Sequence, residues 1–447
     1  MVKTEAAAAP SPPPRPLPSE FVGGVPCLSL HHDAHLEHFF VTGGVVPPNY
    51  RVAQQLSAQE VDTLCRSGEV FFRWSRVHLF QSLPSLPVDD ELARLIRDYT
   101  GALEHFRRVF PAGRAWPPSA AAHIHEHSPG AADALETHLG PTFDTTFTFD
   151  SNRLEGSPLS WMDTAKVVVY AELHGDHTGE VADPLQRRLH TRIGAVEALA
   201  EEIAPAHWPF VADAEAHLAA WHNTSRWAAE ASNALAAATA TARLDQLQQV
   251  HAVLMRHSPD ALPGQLRDRD VYFSGAYLIA PVPMELPAVM DRLIEWINTQ
   301  SRLVAASDAF RSGDLCSADP TAPRACVRHP AVFAALLHLN FVHVHPFADG
   351  NGRMSRLLLN WALLAARLPP TNIRSQNVLE YRRALALAGR QLHHELRQQP
   401  TPLPFVKVVL REMIPTVNGF NEEIREQNVD RSPTATQRHL GASLLDD

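Results

Sequence analysis

From residue 183 onward, apolar positions recur at spacings of three and four, the pattern of helices with one buried face. Leu185, Leu189, Ile193, Val196, Leu199 and Ile203 form the first such stripe. Asp183 and Pro184 supply an N-cap and first turn for it, and Pro205 ends it. Residues 224–242 are alanine-rich and helix-prone. Leu244, Leu247, Val250 and Leu254 make a second stripe that stops before Pro259, and Val289, Leu293 and Trp296 a third. A further helix is expected from Pro330 through Phe333, Leu336, Leu337 and Phe341, and another from Leu357. Between them the texture changes twice. Pro263-Gly264 is a turn signal, and Val271-Tyr272-Phe273 is a short β-prone run before Gly275, which predicts a small hairpin. Residues 302–328 read as a loop. Upstream, 52–64 and 91–106 look helical, with Pro and Gly between them. The expected class is mostly α, with one hairpin and a helical N-terminal region over 21–145 for which no function is read.

Composition narrows the class of protein. At 447 residues, a prior of about 150 per domain allows two or three domains. Residues 1–20 hold six prolines and an alanine run, with little to bury, so a disordered tail is expected there. The net charge of −10 argues against a general nucleic-acid binder. Apolar runs such as 357–366 break well before 18 residues, so no membrane span is expected. No targeting segment is readable, and a cytoplasmic or nuclear protein is expected. The four cysteines have no CxxC spacing; Cys316 and Cys326 fall in one loop and either pair or remain free thiols. His31, His35 and His38 share a helix face, and His123, His125 and His127 alternate. Zinc binding by either set is outweighed by drift in an Ala- and His-rich composition.

The chemistry concentrates in His345-Pro346-Phe347-Ala348-Asp349-Gly350-Asn351-Gly352-Arg353-Met354-Ser355-Arg356. This is a helix, a tight loop and a second helix. Asp349-Gly350-Asn351-Gly352 suits left-handed backbone, so several N–H groups can face one concavity at a helix N-terminus. That is an anion site backed by the helix dipole. Arg353 and Arg356 are three apart and share a face, which suits a polyphosphate. Asp349 offers a hard oxygen ligand for Mg²⁺. His345 is placed to take a proton from an attacking hydroxyl. Singly, each feature is more often a turn, a cap or a solvated face; twelve residues that combine them all point to a site.

This segment resembles the motif of Fic-domain proteins, His-x-Phe-x-(Asp/Glu)-Gly-Asn-Gly-(Arg/Lys)-x-x-Arg, with every fixed position filled. The resemblance extends over about 146–415. Leu247, His251 and Leu254 look like the family's Leu-x-x-x-His-x-x-Leu helix, and Pro263-Gly264-x-x-Arg267 with 271–275 looks like its flap. Ser151-Asn152-Arg153-Leu154-Glu155-Gly156 resembles the inhibitory helix, (Ser/Thr)-x-x-x-Glu-(Gly/Asn), of the class that carries it ahead of the core. The implied organisation is a tail at 1–20, an N-terminal region at 21–145, a Fic domain at 146–415 and a C-terminal tail at 416–447. The implied fold is a helical core with a β-hairpin flap.

The resemblance implies transfer of AMP from ATP to a Ser, Thr or Tyr hydroxyl of a target protein, with release of pyrophosphate. His345 would be the base and Asp349 the Mg²⁺ ligand. Gly350, Asn351 and Gly352 would form the anion hole, and Arg353 and Arg356 would hold phosphates. Tyr272 would lie on the flap strand that pairs with the target. Ser151 and Glu155 would be regulatory, Glu155 by pairing with Arg356; in that class the Glu also assists removal of AMP. Self-modification and a homodimer are compatible with this reading. The alternatives are transfer of UMP, phosphate or phosphocholine, or a catalytically silent scaffold. Departures from the pattern are additional sequence near 168–224 and 302–328, and Gly389 or Arg390 where some members hold the nucleoside with Asn.

Overall fold

The computed structural model describes residues 19–22, 25–30, 39–40, 89–109, 131–174, 203, 205–236, 241–269, 271, 280–281, 283, 286–305, 329–394 and 402–430. Ten α-helices lie among them. These are α1 (Asp90–Val109), α2 (Ala131–Leu154), α3 (Trp161–His174), α4 (Trp208–Ala236), α5 (Leu244–Leu254), α6 (Leu286–Ala305), α7 (Pro330–Val344), α8 (Asn351–Ala365), α9 (Val378–His394) and α10 (Leu403–Asp430). Three strands, β1 (Ser19–Val22), β2 (Val25–Leu30) and β3 (Phe39–Phe40), pair antiparallel in the order β1-β2-β3, with Ser19 opposite Leu28 and Ser29 opposite Phe40. The last two residues expected in a disordered tail, Ser19 and Glu20, therefore lie in a strand. The expected helices at 52–64 and 183–205, the hairpin with Tyr272, most of the 302–328 loop and both histidine clusters fall outside the described residues.

The mostly α class is what the chain adopts. α7 is its centre: every residue from Pro330 to Val344 is buried. Its sequence is apolar all round, as a helix enclosed on all sides must be. It packs most extensively on α8, which in turn packs on α4, while α6 covers another side of α7. Trp227 of α4 stacks on Trp361 of α8, with ring centroids 4.6 Å apart. Phe143 and Phe147 of α2 pack with Trp221 of α4. α1 lies along α10, and Leu92, Ile96, Tyr99 and Leu103 belong to the same core cluster as α7 and α8. The boundary expected at 146 falls inside α2 and that at 415 inside α10. Residues on both sides of each position, such as Phe143 and Phe147 of α2 and Met413 and Val417 of α10, belong to one core cluster.

α7 starts where His329 caps it: His329 Nδ1 accepts the Ala331 N–H at 3.0 Å, and Pro330 occupies the first helical position. α8 starts earlier than the apolar run at 357 suggests, because Asn351 and Gly352 form its first turn.

Burial leaves five histidines with pKa values below the ordinary one: His345 and His251 at about 4, His329 at about 3, and His217 and His338 also well below the ordinary value. All are neutral in the fold at pH 7. The unfolded chain takes up these protons near pH 6.5, and the folded chain does so only near pH 4 or below. Stability is therefore full above about pH 6.5 and falls with acidification, by up to about 1.4 kcal/mol per pH unit for each group. Thermal unfolding followed by circular dichroism between about pH 7.5 and 5 should show a steep fall in midpoint. A midpoint that does not move contradicts this assignment.

Candidate active site

The loop between α7 and α8 is shaped by three side chains that bind its backbone. α7 ends on His345, which takes a left-handed conformation (φ 49°, ψ 58°). That conformation is costly for a residue with a Cβ, so surrounding contacts must enforce it. Buried Arg267 does so: its Nε donates to the His345 carbonyl at 2.8 Å and its backbone N–H to the Pro346 carbonyl at 2.9 Å. The rest of the guanidinium donates to the carbonyls of Arg269 and Pro281. Asn351 then closes the loop on itself, donating to Phe347 O at 2.8 Å and accepting from Phe347 N at 3.0 Å. His251 of α5 accepts the Gly264 N–H on Nδ1 at 2.9 Å, so its proton lies on Nε2, 3.0 Å from the Asp349 carbonyl. Its ring stacks on Phe347 at 3.6 Å. Gly350, at φ 75°, is required twice over: a Cβ there would be strained and would lie 2.6 Å from Met255 Sδ.

The His345 ring is oriented by the helix it terminates. Nδ1 lies 3.1 Å from the Val342 carbonyl, which accepts its proton and makes Nε2 the lone-pair nitrogen. Burial, opposed by that hydrogen bond, holds its pKa at about 4. A neutral imidazole with a fixed tautomer is a general base ready at physiological pH.

Beside it, the N-terminus of α8 is capped by Gly350 and by no side chain. Its first N–H groups and dipole face an anion position. Two buried guanidiniums line that position. Arg353 is poorly satisfied: Nη1 lies 3.7 Å from Asp213 Oδ1, Nη2 contacts the weak acceptor Met255 Sδ at 3.5 Å, and Nε has no hydrogen-bond partner among the described residues. Arg356 is engaged by the end of α2 through Nε and Nη2. Its Nε donates to Ser151 Oγ at 2.9 Å, and its Nη2 donates to Ser151 O at 2.9 Å and to Glu155 Oε1 at 2.6 Å. The Glu155 carboxylate lies so close over Gly352 that a Cβ there would overlap it. A carboxylate thus occupies the place where the helix N-terminus and both arginines would receive a phosphate. Partial burial opposes the Glu155 charge, but Arg356, Arg353 and Arg382 hold its pKa below the ordinary carboxylate value.

Asp349 is exposed at the rim, with Oδ1 accepting the Gly350 N–H at 2.6 Å. Among the described residues, no group of three or more His, Cys, Asp or Glu could hold a metal ion by itself. A lone carboxylate beside a phosphate position nevertheless suits Mg²⁺, which keeps waters and takes its other ligands from phosphate oxygens.

The structure thus brings His345, Asp349, Gly350, Asn351, Gly352, Arg353, Arg356, Ser151 and Glu155 together; Tyr272 lies outside the described residues. Sequence reading missed the loop-shaping roles of Arg267, the Asn351 side chain and Met255, and the approach of Asp213 to Arg353. Only Arg267 carried a signal, as a cation after a Pro-Gly turn.

Residues 241–363 match the Fic/DOC family model, a span that includes α5, the loop and most of α8 but not α2. Over 146 residues the chain is 34% identical to a protein named Protein adenylyltransferase Fic from Drosophila mojavensis, covering 33% of this chain and 24% of that protein. Over 177 residues it is 30% identical to a protein of the same name from Nematostella vectensis, covering 40% and 34%. The chain therefore matches between about a quarter and a third of the length of these relatives. A Fic-domain-containing signalling protein from Bacteroides thetaiotaomicron aligns with a TM-score of 0.49 at 17% identity, covering 74% of this chain and 98% of that one.

Proposed function

We propose that this chain, which carries a Fic/DOC domain over residues 241–363, is a protein adenylyltransferase. It would move AMP from ATP to a Ser, Thr or Tyr hydroxyl of a protein, and Glu155 would hold it in check. The observation that carries the reading is one loop that combines the lone-pair nitrogen of His345 with an uncapped helix N-terminus and two buried guanidiniums. The relatives' name supports adenylate as the group transferred.

In this mechanism the α8 N-terminus and Arg353 receive the phosphates, and Arg356 takes the terminal one when Glu155 withdraws. His345 Nε2 accepts the proton of the target hydroxyl. The hydroxyl oxygen forms a bond to the α-phosphorus, the α–β bridging bond breaks, and pyrophosphate leaves with the bonding electrons. Positioning and charge neutralisation do most of the work in such a transfer. Mg²⁺ held by Asp349 and phosphate oxygens would neutralise charge between the phosphates. Loop-shaping Arg267, His251 and Asn351 keep the base and the anion position in register.

Incubation with ATP, GTP, UTP and CTP, each labelled on the α-phosphate, and separately with γ-labelled ATP, tests the reading; incorporation from α-labelled ATP alone supports it. Label retained from another nucleotide, or from the γ-phosphate, replaces it with one of the other transfers. Asp349→Ala should nearly abolish incorporation and its dependence on Mg²⁺. An Mg²⁺ titration unchanged by that substitution removes Asp349 from the role.

A further inference from the structure

We propose that Arg382, on α9 and outside the loop motif, is a positioning residue for Glu155: it fixes the turn that carries the carboxylate. The inference rests on the autoinhibition reading and names the side chain that enforces it.

A helix leaves its last four carbonyls without intrahelical partners. In α2 these belong to Ser151, Asn152, Arg153 and Leu154. The middle two are satisfied locally, Asn152 O by the N–H groups of Glu155 and Ser157 at 3.0 Å each, and Arg153 O by Gly156 N at 3.1 Å. Gly156 permits this reversal with φ 97°. The outer two are taken by guanidiniums from other helices. Arg356 Nη2 binds Ser151 O at 2.9 Å, and Arg382 Nη2 binds Leu154 O at 2.7 Å. The Leu154 carbonyl belongs to the peptide unit whose nitrogen is that of Glu155. Arg382 therefore grips the backbone immediately before the inhibitory side chain, and its charge also favours the Glu155 carboxylate.

The two clamps differ in access. Arg356 is buried, whereas Arg382 is exposed. The body of α2 cannot readily move instead, because Phe143 and Phe147 are embedded in the core. Asp150 further ties it to the segment before α9, accepting from Ser375 N at 2.8 Å and from Asn372 Nδ2. Loosening of the 155–156 turn, just beyond buried Leu154, is thus the economical way to free the phosphate position; Arg382 restrains that turn from the solvent side, as does exposed Arg153, whose Nη1 donates to Ser157 O at 2.9 Å.

The test is epistasis. Labelled AMP incorporation is measured for the parent, Arg382→Ala, Arg382→Lys, Glu155→Gly and Glu155→Gly/Arg382→Ala. Loss of one charge-assisted hydrogen bond at an exposed site should raise incorporation about 3- to 10-fold in Arg382→Ala over the parent. Arg382→Lys should keep part of the restraint. Arg382→Ala should change nothing once Glu155 is gone. Reduced activity of the double variant relative to Glu155→Gly overturns the proposal, since Arg382 would then serve the nucleotide. A parent-like rate for Arg382→Ala alongside a fast Glu155→Gly overturns it while leaving autoinhibition standing. A parent-like rate for Glu155→Gly defeats the autoinhibition reading itself.

Discussion

His345→Ala, made in the Glu155→Gly chain, should lose transfer by about 10²- to 10⁴-fold while nucleotide affinity stays close to that of the Glu155→Gly chain. In the proposed mechanism the imidazole acts on the attacking hydroxyl, whereas the α8 N-terminus, Arg353 and Arg356 would hold the phosphates. Removing the ring leaves those contacts, and the backbone bond from Arg267 to the residue 345 carbonyl is independent of the side chain. The pH profile supplies a second check. Burial lowers the His345 pKa to about 4, so the base form persists through the mildly acidic range. The kcat/KM of the Glu155→Gly chain should therefore show no inflection at the ordinary histidine value, staying level down to the pH at which the fold itself is lost. Parent-like turnover in His345→Ala, or an inflection near 6.5, would remove His345 from the role of base.

Glu155→Gly carries the second large effect, in the opposite direction. The Glu155 carboxylate is 2.6 Å from Arg356 Nη2 and over Gly352, so it and a terminal phosphate exclude each other. A charge-assisted hydrogen bond is worth about 1.5–3 kcal/mol, which corresponds to roughly 10- to 150-fold in the population of the open site. The Glu155 side chain is 42% exposed, so solvent screening places the gain toward the lower end. Arg356→Ala in the same chain should cancel it, because the freed guanidinium is what Glu155→Gly makes available. Stability should fall only slightly, since Ser151 still engages Arg356 through two hydrogen bonds and Arg382 still holds Leu154. Flat activity with lowered stability would make Glu155 an ordinary helix end.

Local pattern made some of this legible and could not reach the rest. The Leu244–Leu254 stripe became α5 because its apolar residues mark one face, and 91–106 became α1 for the same reason. α7 could be placed by Pro330 and its apolar content, but its all-round burial has no periodic signal, so nothing in the spacing says that it is the centre of the fold. The loop was readable because its chemistry is contiguous: His345, Asp349, the glycines and both arginines lie in twelve residues. Glu155 and Arg356 are 201 positions apart, and only the family resemblance joined them. Arg267, Arg382 and Asp213 act through backbone carbonyls or distant partners that tertiary packing selects. A guanidinium bound to carbonyls leaves no complementary residue for a sequence reader to find.

The central claim, an adenylate transfer restrained by Glu155, is tested most directly by intact-mass analysis of the chain after incubation with ATP and Mg²⁺. Parent, Glu155→Gly and Glu155→Gly/His345→Ala are compared side by side. The account predicts addition of whole adenylate units to Glu155→Gly, far less to the parent in the same time, and almost none to the double variant. Glu155→Gly that gains no adenylate, or gains it as fast without His345 as with it, contradicts the account.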